Sequence, residues 1–192
     1  MARADGRLTA DLNPQDHGPQ DACGVIGIYA PGEEVSKLTY FGMYALQHRG
    51  QESAGMAVSD GRHMMVFKDM GLVSQVFDEA TLNSLQGHMA VGHTRYSTTG
   101  ASIWDNAQPT FRSRQGGDGL ALAHNGNLTN TGALEALIAE RAPDTEVPHK
   151  DRMDSSSDTS LVTALMTTYD GTLEEVAAQV LPHLQGAFSL VF

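Results

Sequence analysis

The chain has 192 residues, with 12 basic side chains against 23 acidic ones, so its net charge is 12 − 23 = −11 with His neutral. That balance argues against a nucleic-acid backbone or an anionic membrane surface as partner, because both call for clustered Lys and Arg. Hydrophobic residues at 41% and charged residues at 18% fit a globular domain that buries roughly 70% of its unfolded surface, and the lone cysteine, Cys23, excludes an internal disulfide framework or an all-cysteine zinc or iron–sulfur site within these residues.

Residues 1–22 contain no Val, Ile, Phe, Trp or Tyr and are rich in Asp, Pro, Gly and Gln. Such a segment buries too little apolar surface to offset its ordering entropy, so it reads as a flexible leader ahead of a domain over 23–192. Arg3 and Arg7 are not followed by an apolar stretch, so no secretory signal is recognised. The run CGVIGIYA at 23–30 predicts a buried strand ended by Pro31-Gly32. Over 33–46 the positions Val35, Leu38, Phe41, Ala45 and Leu46 predict an amphipathic helix with a weak point at Gly42. SAGMAVSD and RHMMVFKD flank Asp60-Gly61 and predict a hairpin.

A short helix is expected over 78–85 and a strand at the start of HMAVGHTRYS, 88–97. A long loop with short strands inside it follows over 98–118. GLALAHNG, 119–126, predicts a strand running into a polar glycine turn. Helices are expected over 131–141, over SLVTALMTTY, and from a Thr172/Glu175 capping box to about 183, with a polar loop over 149–158. AFSLVF predicts a last strand. It closes on Phe192 with no polar tail, an apolar edge that needs a partner and reads as the cut end of a longer protein.

This order lacks the steady alternation of βαβ units and predicts an α+β fold of antiparallel sheets with helices packed outside them. The cysteine usage suits a reducing compartment, and no apolar run approaches the roughly 18 residues of a membrane span. The expected location is cytoplasmic.

Cys23 is the sharpest chemical feature. A lone strand cysteine is often inert packing, but this one stands where the leader meets the first strand. Removal of residues 1–22 would make it the first residue, with a free α-amine beside the thiol. An α-amine with a pKa of about 7.7–8.0 is well placed as a base, and the thiol needs only modest help to ionise. One residue then supplies nucleophile and base. An attached leader turns that amine into a non-basic amide.

Attack by a thiolate on a carbonyl also needs donors for the developing oxyanion. Asn125 offers a side-chain N–H and Gly126 a backbone N–H, although an Asn-Gly pair is equally a plain hairpin turn. Arg95, at the end of a strand, can clamp a carboxylate bidentately or simply stand on the surface. Asp158, opening a helix, can hold an ammonium group or cap that helix. The eight His residues show no zinc spacing, there is no phosphate-binding glycine motif, and Asp151, Asp154 and Asp158 do not form a calcium loop. No metal site is expected.

Taken together, CGVIG at 23–27, LQHRGQESAG at 46–55, GHTRYSTTG at 92–100, NAQP at 106–109, HNGNLTN at 124–130 and SDTS at 157–160 form an ordered set. The set resembles the class II glutamine amidotransferase domain of the amidophosphoribosyltransferase family, from Cys23 to Phe192. Glucosamine-6-phosphate synthases carry similar motifs, but LQHRGQESAG and HTRYSTTG match the purine family better; asparagine synthetases are more distant. The resemblance implies an αββα sandwich of the N-terminal nucleophile hydrolase type. It implies that Cys23, freed of its leader, attacks the glutamine side-chain amide, releases ammonia and forms a thioester that water hydrolyses.

By motif match, Asn125 and Gly126 would form the oxyanion hole. Arg95 would bind the α-carboxylate and Asp158 the α-ammonium. Arg49 and Gly50 would belong to a closing loop, with Tyr96 and Thr98 lining the site. In the full-length family ammonia reacts with 5-phosphoribosyl diphosphate in a second, magnesium-using domain, the first step of purine synthesis. Some members carry a 4Fe–4S cluster whose cysteines would lie beyond Phe192, and a homo-oligomer is expected. A sugar-phosphate amidotransferase, or a catalytically silent glutamine-binding or assembly domain that keeps its leader, is the alternative.

Overall fold

The computed structural model describes residues 23–96, 103–114, 117–144 and 158–192. The leader, Thr98 and most of the 149–158 loop lie outside the described residues. The first sheet is built from β1 (Gly24–Tyr29), β2 (Ser53–Ser59), β3 (Met64–Met70) and β4 (Met89–Arg95), in the order β1-β4-β2-β3. The second is built from β5 (Thr110–Ser113), β6 (Gly119–Leu128) and β7 (Gly186–Val191), in the order β5-β6-β7. Every pairing is antiparallel.

The helices lie outside this pair of sheets. α1 (Val35–Ala45), α2 (Val73–Val76) and α3 (Glu79–Ser84) pack with the first sheet through Val35, Met43, Met56, Val58, Val73 and Leu85. α4 (Thr131–Arg141), α5 (Asp158–Thr167) and α6 (Leu173–Val180) cover the second through Leu122, Leu134, Ile138, Leu165, Met166 and Val176. This is the αββα layering. Strand alternation sends successive side chains to opposite faces, so each sheet has one face for its helices and one for the other sheet.

The predicted hairpin forms, closing at Ser59↔Met64, and the Asp60 carboxylate accepts from the Arg62 and His63 amides at 2.7 and 2.6 Å. The capping box at Thr172 and Glu175 starts α6. Three expectations are corrected. The first strand is not buried: β1 is an edge strand of its sheet, and Tyr29 is largely exposed. The helix over 33–46 forms, but it turns a different face inward. Val35, Ser36, Thr39 and Met43 are buried, while Leu38 and Phe41 are 42% and 66% exposed. The polar pair is tolerated because Thr39 Oγ1 donates to Val35 O at 2.8 Å and Ser36 Oγ to Leu82 O at 2.9 Å. Gly42 is a contact point rather than a weak one, since a Cβ there would sit 2.1 Å from Ile26 Cδ1 of β1.

The third correction concerns Asn125-Gly126. These residues do not turn. β6 continues to Leu128, with Asn125 opposite Ser189 and Gly126 opposite Phe188. Gly126 has φ +147, and a Cβ on it would stand 2.2 Å from Ala187 O. Only glycine fits that strand position without moving β7.

Candidate active site

Strand register decides which residues meet between the sheets. In β4, Gly92 faces α1, where a Cβ would meet Thr39, Ile26 and Met43; the alternate residue His93 reaches the second sheet, its Nε2 lying 3.2 Å from His124 O. Arg95 therefore also faces inward. In β1 the Gly27 position abuts Val191 of β7, so Val25 and Cys23 share that inner face. In β6, Leu122 and Leu128 join the helical core and the His124 ring reaches α5. Asn125 consequently points back toward the first sheet. Cys23 and Asn125 thus belong to opposite walls of one seam.

Cys23 sits just before β1 and is half-buried. Its thiol lies 3.5 Å from both Tyr96 O, which it can donate to, and the Tyr96 amide, which can donate to sulfur. Arg49 Nε lies 3.5 Å from Cys23 O. Burial pushes the Cys23 thiol up, Glu52 adds to the rise, and the Tyr96 amide and Arg95 charge pull the other way without cancelling it. Gly50 lets the Arg49-Gly50 segment lie against the end of β4, because a Cβ there would come within 2.5–2.7 Å of the Thr94–Arg95 backbone.

The Arg95 side chain is 7% exposed and donates from Nη1 to Glu52 Oε1 at 2.9 Å. The main chains tie the same two residues together, Glu52 N donating to Arg95 O at 3.0 Å. Asp158 opens α5. Its Oδ2 accepts from the Leu128 amide and its Oδ1 from the Thr159 amide, both at 3.0 Å, and the His124 ring Nδ1 lies 3.4 Å from Oδ1. Burial alone would raise this carboxyl, but His124 and the two amides outweigh it and hold it below its ordinary value.

The structure therefore gathers Cys23, Arg49, Gly50, Arg95 and Tyr96 at one end of the first sheet, and Asn125, Gly126 and Asp158 on β6 and the start of α5. Four residues carry weight that the sequence did not assign: Glu52 on Arg95, His93 and His124 across the seam, and Gln108, whose Oε1 accepts from the His124 amide at 2.7 Å. Each lies within a quoted motif, and the buried polar type was the available signal. Burial pushes the His93 ring down to about 3, with Arg95, His124 and Lys68 adding to the fall, so it is neutral. Among the described residues no three His, Cys, Asp or Glu side chains form a metal cluster, and one cysteine does not fit an iron–sulfur cluster. The chemistry legible here is that of a thiol, donors and a carboxylate.

No protein-family model matches the chain. It is 53% identical to the amidophosphoribosyltransferase of Mycobacterium tuberculosis over 194 aligned positions, covering 96% of this chain and 35% of that protein. It is 63% identical to the amidophosphoribosyltransferase of a Synechocystis species over 123 positions, 64% of this chain and 25% of the other. The solved glutamine phosphoribosylpyrophosphate amidotransferase of B. subtilis superposes with a TM-score of 0.72 at 35% identity, covering 86% of this chain and 34% of that one. The chain thus spans about a third of the length of the relatives it matches.

Proposed function

Over the third of their length that it spans, this chain is a member of the amidophosphoribosyltransferase family, and from that premise we propose that residues 23–192 form the glutamine-hydrolysing part of such an enzyme, with 1–22 a leader removed to expose Cys23. The observation that carries this reading is the setting of the thiol: Cys23 stands on the seam between the sheets, against the Tyr96 backbone and beside the Arg95 guanidinium. A thiol raised by burial is a poor nucleophile at neutral pH unless a base takes its proton. The α-amine of a first-residue cysteine is such a base, held within the same residue.

The steps follow from the side chains. The amine removes the thiol proton, and sulfur attacks the side-chain amide carbon of glutamine. Asn125 Nδ2 and the Gly126 amide donate to the developing oxyanion. The resulting ammonium gives its proton to the departing nitrogen, which leaves as ammonia, and a glutamyl thioester remains. Water adds to that thioester with the amine again as base, and glutamate is released as the thiol is restored. Arg95 holds the α-carboxylate and Asp158 the α-ammonium, a pairing that selects an α-amino acid. Arg49 and Gly50 close over the bound side chain, and Tyr96 lines it.

In the whole protein the ammonia converts 5-phosphoribosyl diphosphate to 5-phosphoribosylamine, the entry to purine synthesis, in a magnesium-using domain outside these residues. A cytoplasmic homo-oligomer is the expected setting, and any 4Fe–4S cluster belongs outside this chain. The relatives named above carry the phosphoribosyl activity in their names, and neither a sugar-phosphate acceptor nor a silent domain is favoured over it. The test is ammonia release from glutamine by the intact protein. Cys23→Ala should bring it to background while activity with free ammonia and 5-phosphoribosyl diphosphate persists; retained glutamine hydrolysis would refute the assignment.

A further inference from the structure

The Arg95–Glu52 pair raises a question that the assignment of Arg95 as carboxylate binder leaves open. If this guanidinium receives the α-carboxylate of the substrate, it does so while already facing a carboxylate of its own chain. Glu52 Oε1 takes Arg95 Nη1 at 2.9 Å, but Glu52 Oε2 is buried with no hydrogen-bond partner among the described residues. A buried ion pair with an unsatisfied oxygen is poorly placed as a stabilising device, because desolvation of both charges offsets much of their attraction. Its position is fixed all the same. Ser53 sits opposite Arg95 in the β2–β4 register, and the Glu52 amide donates to Arg95 O, so the acid cannot drift from the guanidinium.

We propose that Glu52 is the resting counter-ion of Arg95 and a specificity-determining residue of the site, setting how tightly the guanidinium holds an α-carboxylate. This rests on the glutaminase reading above. With the site empty, Glu52 sets a carboxylate against the buried guanidinium. When the amino acid enters, its α-carboxylate competes with Glu52 for the same guanidinium. The competition lowers affinity for every ligand bearing that carboxylate, including the product glutamate, and so assists product release between turnovers.

The experiment compares the intact protein with Glu52→Gln, which keeps the shape and removes the charge. The inhibition constant of glutamate and the KM for glutamine should both fall, by roughly tenfold, with kcat changed far less. Glutamine α-amide, which lacks the carboxylate, should bind no more tightly than before. Glu52→Asp draws the charge back by one methylene and should fall between the two; it carries the test if Glu52→Gln does not fold. Unchanged or weaker glutamate binding in the variants overturns the proposal, because a residue that only supports the loop would loosen the site and never tighten it. Wild-type hydrolysis, read in parallel, separates the two ideas: its absence sinks the glutaminase reading itself, whereas normal hydrolysis with an unshifted glutamate constant sinks only the role of Glu52.

Discussion

The same strands face two different environments. On its outer side β2 turns Ala54, Met56 and Val58 into the apolar core under α1, and β6 turns Leu120, Leu122 and Leu128 into the core under α4–α6. On their inner sides, β2 offers Ser53 and Gly55, β4 offers His93 and Arg95, and β6 offers Asn125. The outer layers are close-packed and mainly apolar, and the hydroxyls of Ser36, Thr39 and Thr163 buried in them are hydrogen-bonded. The seam holds a buried ion pair, a neutral histidine, and buried atoms without hydrogen-bond partners among the described residues at Glu52 Oε2, Ser53 Oγ and His93 Nδ1. Unsatisfied polar atoms destabilise a fold. Thr94 Oγ1 and His124 Nε2 lack partners among the described residues on the helical sides too, so what sets the seam apart is its buried ion pair with the thiol at its end, and the outer layers supply the stability that the seam gives up.

Substitutions can break this contrast or sharpen it. Leu165→Ala empties part of the outer core and should destabilise the protein by about 2–5 kcal/mol in urea unfolding, with KM for glutamine unchanged in the folded fraction. Gly126→Ala forces a side chain onto φ +147 against Ala187 O. It should lower stability by about 1–3 kcal/mol and remove most glutaminase activity, whereas Gly132→Ala, where a Cβ meets open space, should do neither. His93 tests the seam electrostatically. Its ring is held at about 3 against an ordinary 6.5, so the unfolded chain takes up the proton first as pH falls. Its share of the stability is therefore complete above 6.5 and declines between 6.5 and 3 by about 1.4 kcal/mol per pH unit. His93→Gln should lack one proton of that slope in urea titrations over the same range. Thr172→Ala, which removes a cap far from the seam, should cost about 1 kcal/mol and leave kinetics untouched.

Much of the fold is legible in the chain because local signals agree with the tertiary ones. Thr131–Arg141, the hairpin at Asp60-Gly61 and the capping box at Thr172 all form where their residues direct. The failures have a common cause. Asn125-Gly126 carries the local preference of a turn, but pairing with β7 overrides it. Leu38 and Phe41 have the apolar character expected of a core face, yet the helix approaches the sheet through Gly42 and buries Thr39 instead. Cys23 announces itself as the single thiol at a change of composition. Glu52, Gln108 and His124 do not, because their partners Arg95, His124 and Asp158 lie 16 to 43 residues away or are supplied by the register between strands.

The central claim is that Cys23, as the first residue of the working enzyme, captures the glutamyl group. Intact-mass and peptide mass spectrometry of active protein, stopped by acid during glutamine turnover, tests both halves at once. The account expects a chain beginning at Cys23 with an unblocked amine and a glutamyl adduct on that residue. A fully active chain that still carries residues before Cys23, or an adduct on any other side chain, would contradict it.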